Sequence, residues 1–370
     1  MSGHPDWAYA AALTQVPGCG STTAFRLLVL HEPREAYERA LAEAASHGAN
    51  AQGDAVGMMR ERCEGSGVGV AWVRGPGFPL VIAAGPGPCG VFFFRGDAEL
   101  FVGRRVGIVG TRTPTPSGVY TAREIGEGLS RAGVHVVSGL AKGIDGAAHD
   151  GVRAAVESSA TTGRAIAVVG SGLDVVYPRT NAALWEWVAH HGLLISEHPP
   201  GATAEAHHFP RRNRLIAALS EVVVVVESRE SGGSMSTVRH AIERQRDVLA
   251  VPGSPRVVSA AGTNLLIQQG CGAVTSAADI LSVLALDHRH IDVVSRDERT
   301  PPDPRDVGVL EACSHGPVTL DQLMIATACT LADLALSLGR LEATGWVVEE
   351  AGWWEALLLR RGRHKDECIS

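Results

Sequence analysis

From residue 105 onward the sequence predicts an α/β fold, an extended Rossmann-like, doubly wound and mostly parallel sheet. Three observations carry this expectation. Short apolar runs alternate with amphipathic helical segments, the order that lays strands side by side with helices on both faces. The five consecutive valines of residues 222–226 suit a strand buried on both sides. Several runs also end in glycine-bearing loops that open a helical pattern, as turns at the carboxyl edge of such a sheet do.

Taken in order, residues 1–63 are Ala-rich and helical in pattern. Within them LTQVPGCGSTTAFRLL (13–28) reads as helix, Pro-Gly-Cys-Gly turn, helix. Such a hairpin either presents backbone N–H groups to a phosphate or simply packs as a small helical domain. Residues 64–102 are rich in Gly and Pro, hold a short strand at 90–96, and lead into the sheet. Strands are expected at 106–109, 134–137, 166–169, 193–195, 222–226 and 248–251. Helices fall between them at 117–132, 145–157, 180–191, 211–219, 234–245 and 260–269. The Rossmann-like domain with its lead-in is thus 64–286. Residues 287–305, charged and aperiodic with prolines, read as a linker. Residues 306–360 resemble a winged helix: VGVLEAC, LDQLMIAT and ADLALSLGRLEATG as helices, WVVEEAGWWEALLL as a hairpin. The tail 361–370 is expected to be loose.

Composition narrows the function. A formal net charge of −7 over 370 residues argues against coating nucleic acid by bulk charge, so any anion site must be a local cluster. The seven cysteines form no CxxC pair and read as reduced intracellular thiols. No signal peptide or membrane-length apolar stretch is visible, so a cytoplasmic protein without a membrane partner is expected. GxxxxGK[ST] is absent, which excludes a P-loop. Gly170-Ser171-Gly172 lacks the third glycine and the acidic ribose ligand of nicotinamide sites. The histidines form no HExxH and no clear metal triad, and neither Gly-x-Ser-x-Gly nor a Cys/His nucleophile pair appears. No cofactor, metal or catalytic residue is assigned.

What remains is a site for a polyanion. Arg112 follows Gly110 and Thr111 where a strand tip meets a helix, a place for a phosphate contact. Lys142, between Ala141 and Gly143, has the same position after the next strand and is either a phosphate contact or a solvated turn lysine. Gly170, Ser171 and Gly172 make the third loop. Arg179 follows Tyr177-Pro178. The Tyr177 ring either stacks on a base or caps the core.

The densest charge is the run Phe209, Pro210, Arg211, Arg212, Asn213, Arg214. At about 100° per residue Arg211 and Arg214 lie about 60° apart and are expected to face phosphate, with Phe209 and Asn213 counted in the same segment. Arg212 falls over the apolar stripe of Leu215, Ile216 and Leu219 and is either part of a cap or internally paired. Ser231, Gly232, Gly233 and Ser234 end the valine strand and open a helix. Amide donors, the helix dipole and a hydroxyl would make a phosphate cradle there, or a helix cap without ligand. Asp145 and His149 share a helix face; Asp145 is most simply an N-cap and His149 a packed histidine.

These residues match, in order and spacing, the DNA-processing protein A (DprA, also called Smf) family, which this chain resembles. The matching segments are GIVGTR (107–112), VVSGLAKGIDGAAH (136–149), AVVGSGLDVVYP (167–178), LISEHPPG (194–201), FPRRNRLIAALS (209–220), VVVVESRESGGSMST (223–237), VLAVPGS (248–254) and GTNLLIQQGCGAVTSAADIL (262–281). The resemblance implies single-stranded DNA binding without sequence preference, protection of incoming strands in natural transformation, loading of the RecA recombinase, a homodimer, and no enzymatic activity. It places the basic DNA contacts on Arg112 and Arg179, with Lys142 and residues 211–214 beside them. Two segments depart from the family pattern: Met235-Ser236 replaces an apolar pair, and residues 113–117 are Pro/Thr-rich. The competing reading is a nucleotide-binding enzyme of phosphoribohydrolase type, with Glu197 and Asp145 as acid/base candidates. A third is a regulator whose winged helix reads duplex DNA, but residues 331–341 offer Arg340 alone as a cation and carry Asp333.

Overall fold

The computed structural model describes residues 3–47, 53–159, 162–284, 299–314, 316–350 and 352–357. Most of the expected linker and the whole tail 361–370 lie outside these residues. Four helices come first: α1 (Asp6–Leu13), α2 (Ser21–Leu30), α3 (Pro33–Ser46) and α4 (Ala55–Ser66). Alanines fill their buried faces, Ala8, Ala10, Ala11 and Ala12 on α1 and Ala36, Ala40 and Ala44 on α3, so the helices can approach closely. Strand β1 (Gly69–Trp72), the short helix α5 (Leu80–Ala83) and strand β2 (Val91–Gly96) follow.

The repeating α/β part then runs β3 (Arg105–Val109), α6 (Pro116–Arg131), β4 (His135–Ser138), α7 (Ile144–Ser158), β5 (Ala165–Val169), a 3-10 turn (Arg179–Asn181), α8 (Ala182–His191) and β6 (Leu193–Ser196). It continues through α9 (His208–Leu219), β7 (Val222–Val225), α10 (Ser234–Glu243), β8 (Asp247–Ala250), α11 (Ala261–Gln268), β9 (Gly272–Ala273) and α12 (Ala277–Val283). Nine strands form one sheet in the order β1-β2-β6-β5-β4-β3-β7-β8-β9. The pairs β1–β2 and β2–β6 are antiparallel and all others parallel. The valines of β7 are at most 2% exposed, as a strand covered on both faces requires.

The expected strands and helices are present, with shifted ends. Helix α9 starts at His208 rather than 211, because Pro210 sits in the first turn, where its missing N–H costs nothing. Strands β1 and β9 were not expected; both are short and lack alternation. Helix α12 was not expected either, although Ser276 and Asp279 form a capping box before it.

The chain divides into two compact units, Met1–Pro114 with Gly118–Arg289, and Thr115–Ser117 with His290–Ser370. The N-terminal helices belong to the first. The second contains α13 (Val307–Ser314), β10 (Val318–Thr319), α14 (Leu320–Thr327), α15 (Leu331–Ala343), β11 (Val347–Glu350) and β12 (Trp353–Ala356). Its strands form an antiparallel sheet in the order β10-β12-β11, and its core holds Leu310, Cys313, Leu323, Leu334, Leu338 and Leu341. Among the described residues no single helix is long and apolar enough to cross a membrane.

Candidate functional site

Parallel strands β3, β4 and β5 deliver their loops to one edge of the sheet. Two hollows lie there, of about 480 and about 230 Å³, and Arg112 and Lys142 line both. The larger is also walled by Thr113, Pro114, Arg123, Asp150 and Asn181. The smaller is walled by Gly139, Gly170, Pro178 and the rings of Tyr177 and Phe209. The guanidinium carbon of Arg112 lies 4.9 Å from the Phe209 ring centroid. The Tyr177 ring stands 5.3 Å from Phe209, tilted by 34°, and is 44% exposed. Exposed cations therefore sit directly beside accessible aromatic faces.

Buried polar groups fix the floor. Gly139 abuts Arg212 so closely that a Cβ would overlap the guanidinium. Arg212 is buried, donates to the Val168 carbonyl, and faces Asp145 at 3.8 Å. The Asp145 carboxylate also accepts from the Gly139 N–H at 3.1 Å. Burial lowers Arg212 to about 10 and, outweighing the nearby Arg212 charge, raises Asp145. Arg212 is thus the internally paired arginine of the two alternatives left open by the sequence. His149, wholly buried, is held neutral, its pKa lowered to about 4 chiefly by desolvation. Gly143 adopts φ +90°, and a Cβ there would lie 2.4 Å from the Thr111 carbonyl; only glycine suits both demands. The Asn181 side chain donates to the carbonyls of Leu140 and Ala141, both at 3.1 Å, tying the loop after β5 to the loop after β4.

Several expected contacts are corrected. Arg214 does not face the hollows: it pairs with Glu197 at 2.5 Å and donates to the Ser21 hydroxyl at 3.1 Å. Being one turn further along α9, it meets the N-terminal helices instead of the sheet edge. The Thr111 N–H is no open donor, since it donates to the Glu227 carbonyl at 2.7 Å. A Cβ at Gly110 would strike Ile144 and that same carbonyl, so Gly110 and Thr111 seam β3 to β7. Ser171 is buried and donates to the Val175 carbonyl, and the Gly172 N–H donates to the Ala202 carbonyl, both at 2.8 Å. Of that loop only Gly170 lines a hollow. Ser234 is buried with its hydroxyl donated to Ser228 at 2.8 Å. Asn213 donates to Ser236 at 2.6 Å and to the Gly233 carbonyl at 3.3 Å. Ser231, Gly232 and Gly233 line neither hollow. Arg179 and Arg211 are exposed but also line neither. Of the five expected cations, Arg112 and Lys142 line the hollows and Arg179, Arg211 and Arg214 do not, and the amides of Thr111 and Gly172 are already bonded.

Three features escaped the sequence reading. Arg123 enters the larger hollow because it stands four residues after Val119 on α6, on the same helical face. Asn181 acts as a brace. Glu205, His207 and His208 place one ligand-type atom each within 4.8 Å of one another, in a spacing that is not HExxH. Glu197, an acid/base candidate, is committed to Arg214, and Asp145 to Arg212.

Residues 70–285 match the family model of the DNA recombination-mediator protein A. The chain is 34% identical over 312 residues to Protein Smf of Synechocystis, covering 75% of this chain and 77% of that one. It is 44% identical over 198 residues to the DNA processing protein DprA of Bacillus subtilis, covering 53% and 65%. Among solved structures it is similar to DNA processing protein A of Streptococcus pneumoniae, with a TM-score of 0.64 at 28% identity over 74% of this chain and 97% of that chain. It is also similar to DNA processing protein A of Helicobacter pylori, described in its single-stranded DNA binding mode, with a TM-score of 0.53 at 26% identity over 60% and 96%.

Proposed function

Since the chain belongs to the DNA recombination-mediator protein A family, we propose that the groove over β3, β4 and β5 binds single-stranded DNA without sequence preference. Phosphates sit at Arg112 and Lys142, and bases stack on Tyr177 and Phe209. The observation that carries this reading is the Arg112 guanidinium beside the Phe209–Tyr177 ring pair. A duplex keeps its bases stacked on one another and leaves such rings unused, whereas a single strand offers a π-face at every base. Arg179 and Arg211, exposed on flanking segments, extend the path for the backbone. The single-stranded DNA binding of the Helicobacter pylori relative supports the assignment.

On this reading the protein shields incoming strands during natural transformation and passes them to RecA as a homodimer. On the same reading it performs no chemistry of its own, and the two acid/base candidates of the competing reading, Glu197 and Asp145, are paired with arginines. Residues 306–360 serve as a winged-helix-like protein contact rather than a groove reader, because Arg340 is spent on Asp306 at 2.6 Å. The test is titration of a labelled oligonucleotide at two salt concentrations, with duplex as competitor. Wild-type affinity should fall with a log–log slope of about −0.7 per phosphate neutralised. Arg112→Glu with Lys142→Glu should lose at least about tenfold with the fold intact, both being surface residues. Unchanged affinity in that variant would refute the groove.

A further inference from the structure

We propose that Glu205, His207 and His208 form a binding site for a divalent transition-metal ion of the zinc class, in the segment that leads into α9. Two imidazoles and one carboxylate are a donor set that zinc accepts with a further position left for water or another ligand. The three candidate ligand atoms lie within 4.8 Å of one another, so small side-chain rotations bring them onto one ion. The arrangement is already partly built. His207 Nδ1 stands 3.3 Å from a Glu205 carboxylate oxygen.

The buried His208 ring is held in place. Its Nδ1–H donates to the Gly170 carbonyl at 3.0 Å, and His198 stacks on it with centroids 3.8 Å apart. A ring nitrogen tied to a backbone carbonyl is the outer partner that metal-bound imidazoles commonly have, and it holds the ring in orientation before an ion arrives. Glu205 and His207 are exposed, which gives an ion a route in. The site has a consequence for the chain: Phe209 follows His208 directly, so a bound ion would fix the start of α9.

The experiment uses the untagged full chain, titrated with Co2+ and followed by visible absorption, then with Zn2+ as competitor and by calorimetry. One equivalent should bind, giving the intense visible bands of low-coordinate cobalt, which Zn2+ bleaches. His207→Ala and Glu205→Gln, both at exposed positions and checked by circular dichroism, should each weaken binding by about tenfold or more. Absence of saturable binding would overturn the proposal. So would binding of the same strength and spectrum in the double variant, since the ion would then be held elsewhere.

Discussion

The Arg112 guanidinium lies over the Phe209 ring at 4.9 Å from its centroid, although 97 positions of sequence separate the β3 loop from the first turn of α9. On the proposed function, the contact puts a fixed charge and a stacking surface within reach of one nucleotide. It also separates two contributions to binding. Phe209→Ala should weaken oligonucleotide binding by about 1–3 kcal/mol and leave the salt slope unchanged, because stacking releases no counterions. A charge-reversal at Arg112 should instead make the slope shallower. Fluorescence anisotropy at several salt concentrations reads both, and equal slopes in the two variants would contradict the division of labour.

Arg214 predicts the opposite pattern. Its partner Glu197 is mostly buried, so Arg214→Ala leaves a carboxylate without its cation. Denaturant unfolding should show a loss on the order of 2 kcal/mol, while DNA affinity holds at the wild-type level. Adding Glu197→Gln should recover part of the loss, which a double-mutant cycle measures.

Arg212 and Asp145 form the more buried pair. Arg212→Ala strands the Asp145 carboxylate under the groove floor and should cost about 3–5 kcal/mol. Binding should weaken too, because Gly139, held by that carboxylate, lines the smaller hollow. Urea midpoints together with oligonucleotide titration check both effects; a stable variant would show that the pair does not brace the floor.

His149 sets a pH dependence. Its folded pKa is lowered to about 4 by burial, below the value of about 6.5 for an unfolded histidine. Between these values the unfolded chain binds the proton and the folded chain does not, so this contribution to stability is complete above about pH 6.5 and is lost as pH falls toward 4. The loss should reach about 3 kcal/mol. His149→Leu should flatten that part of the stability curve, measured by urea unfolding from pH 7 to 4.5.

The sequence by itself determined the alternation of strands and helices, the burial of residues 222–226, and the convergence of Arg112 and Lys142. Each follows from local period and from the rule that strand-end loops of a parallel sheet share one edge. It also narrowed Arg212 to two roles through its place over an apolar stripe. Tertiary structure decided the rest. Arg211 and Arg214 stand on neighbouring lines of α9, and nothing in their spacing says that α2 supplies Ser21 behind the second of them. The amides of Thr111 and Gly172 look available in sequence because their acceptors, the carbonyls of Glu227 and Ala202, belong to loops far along the chain. Periodicity reports which face of an element is apolar; which distant polar group meets that face is fixed only when the sheet closes.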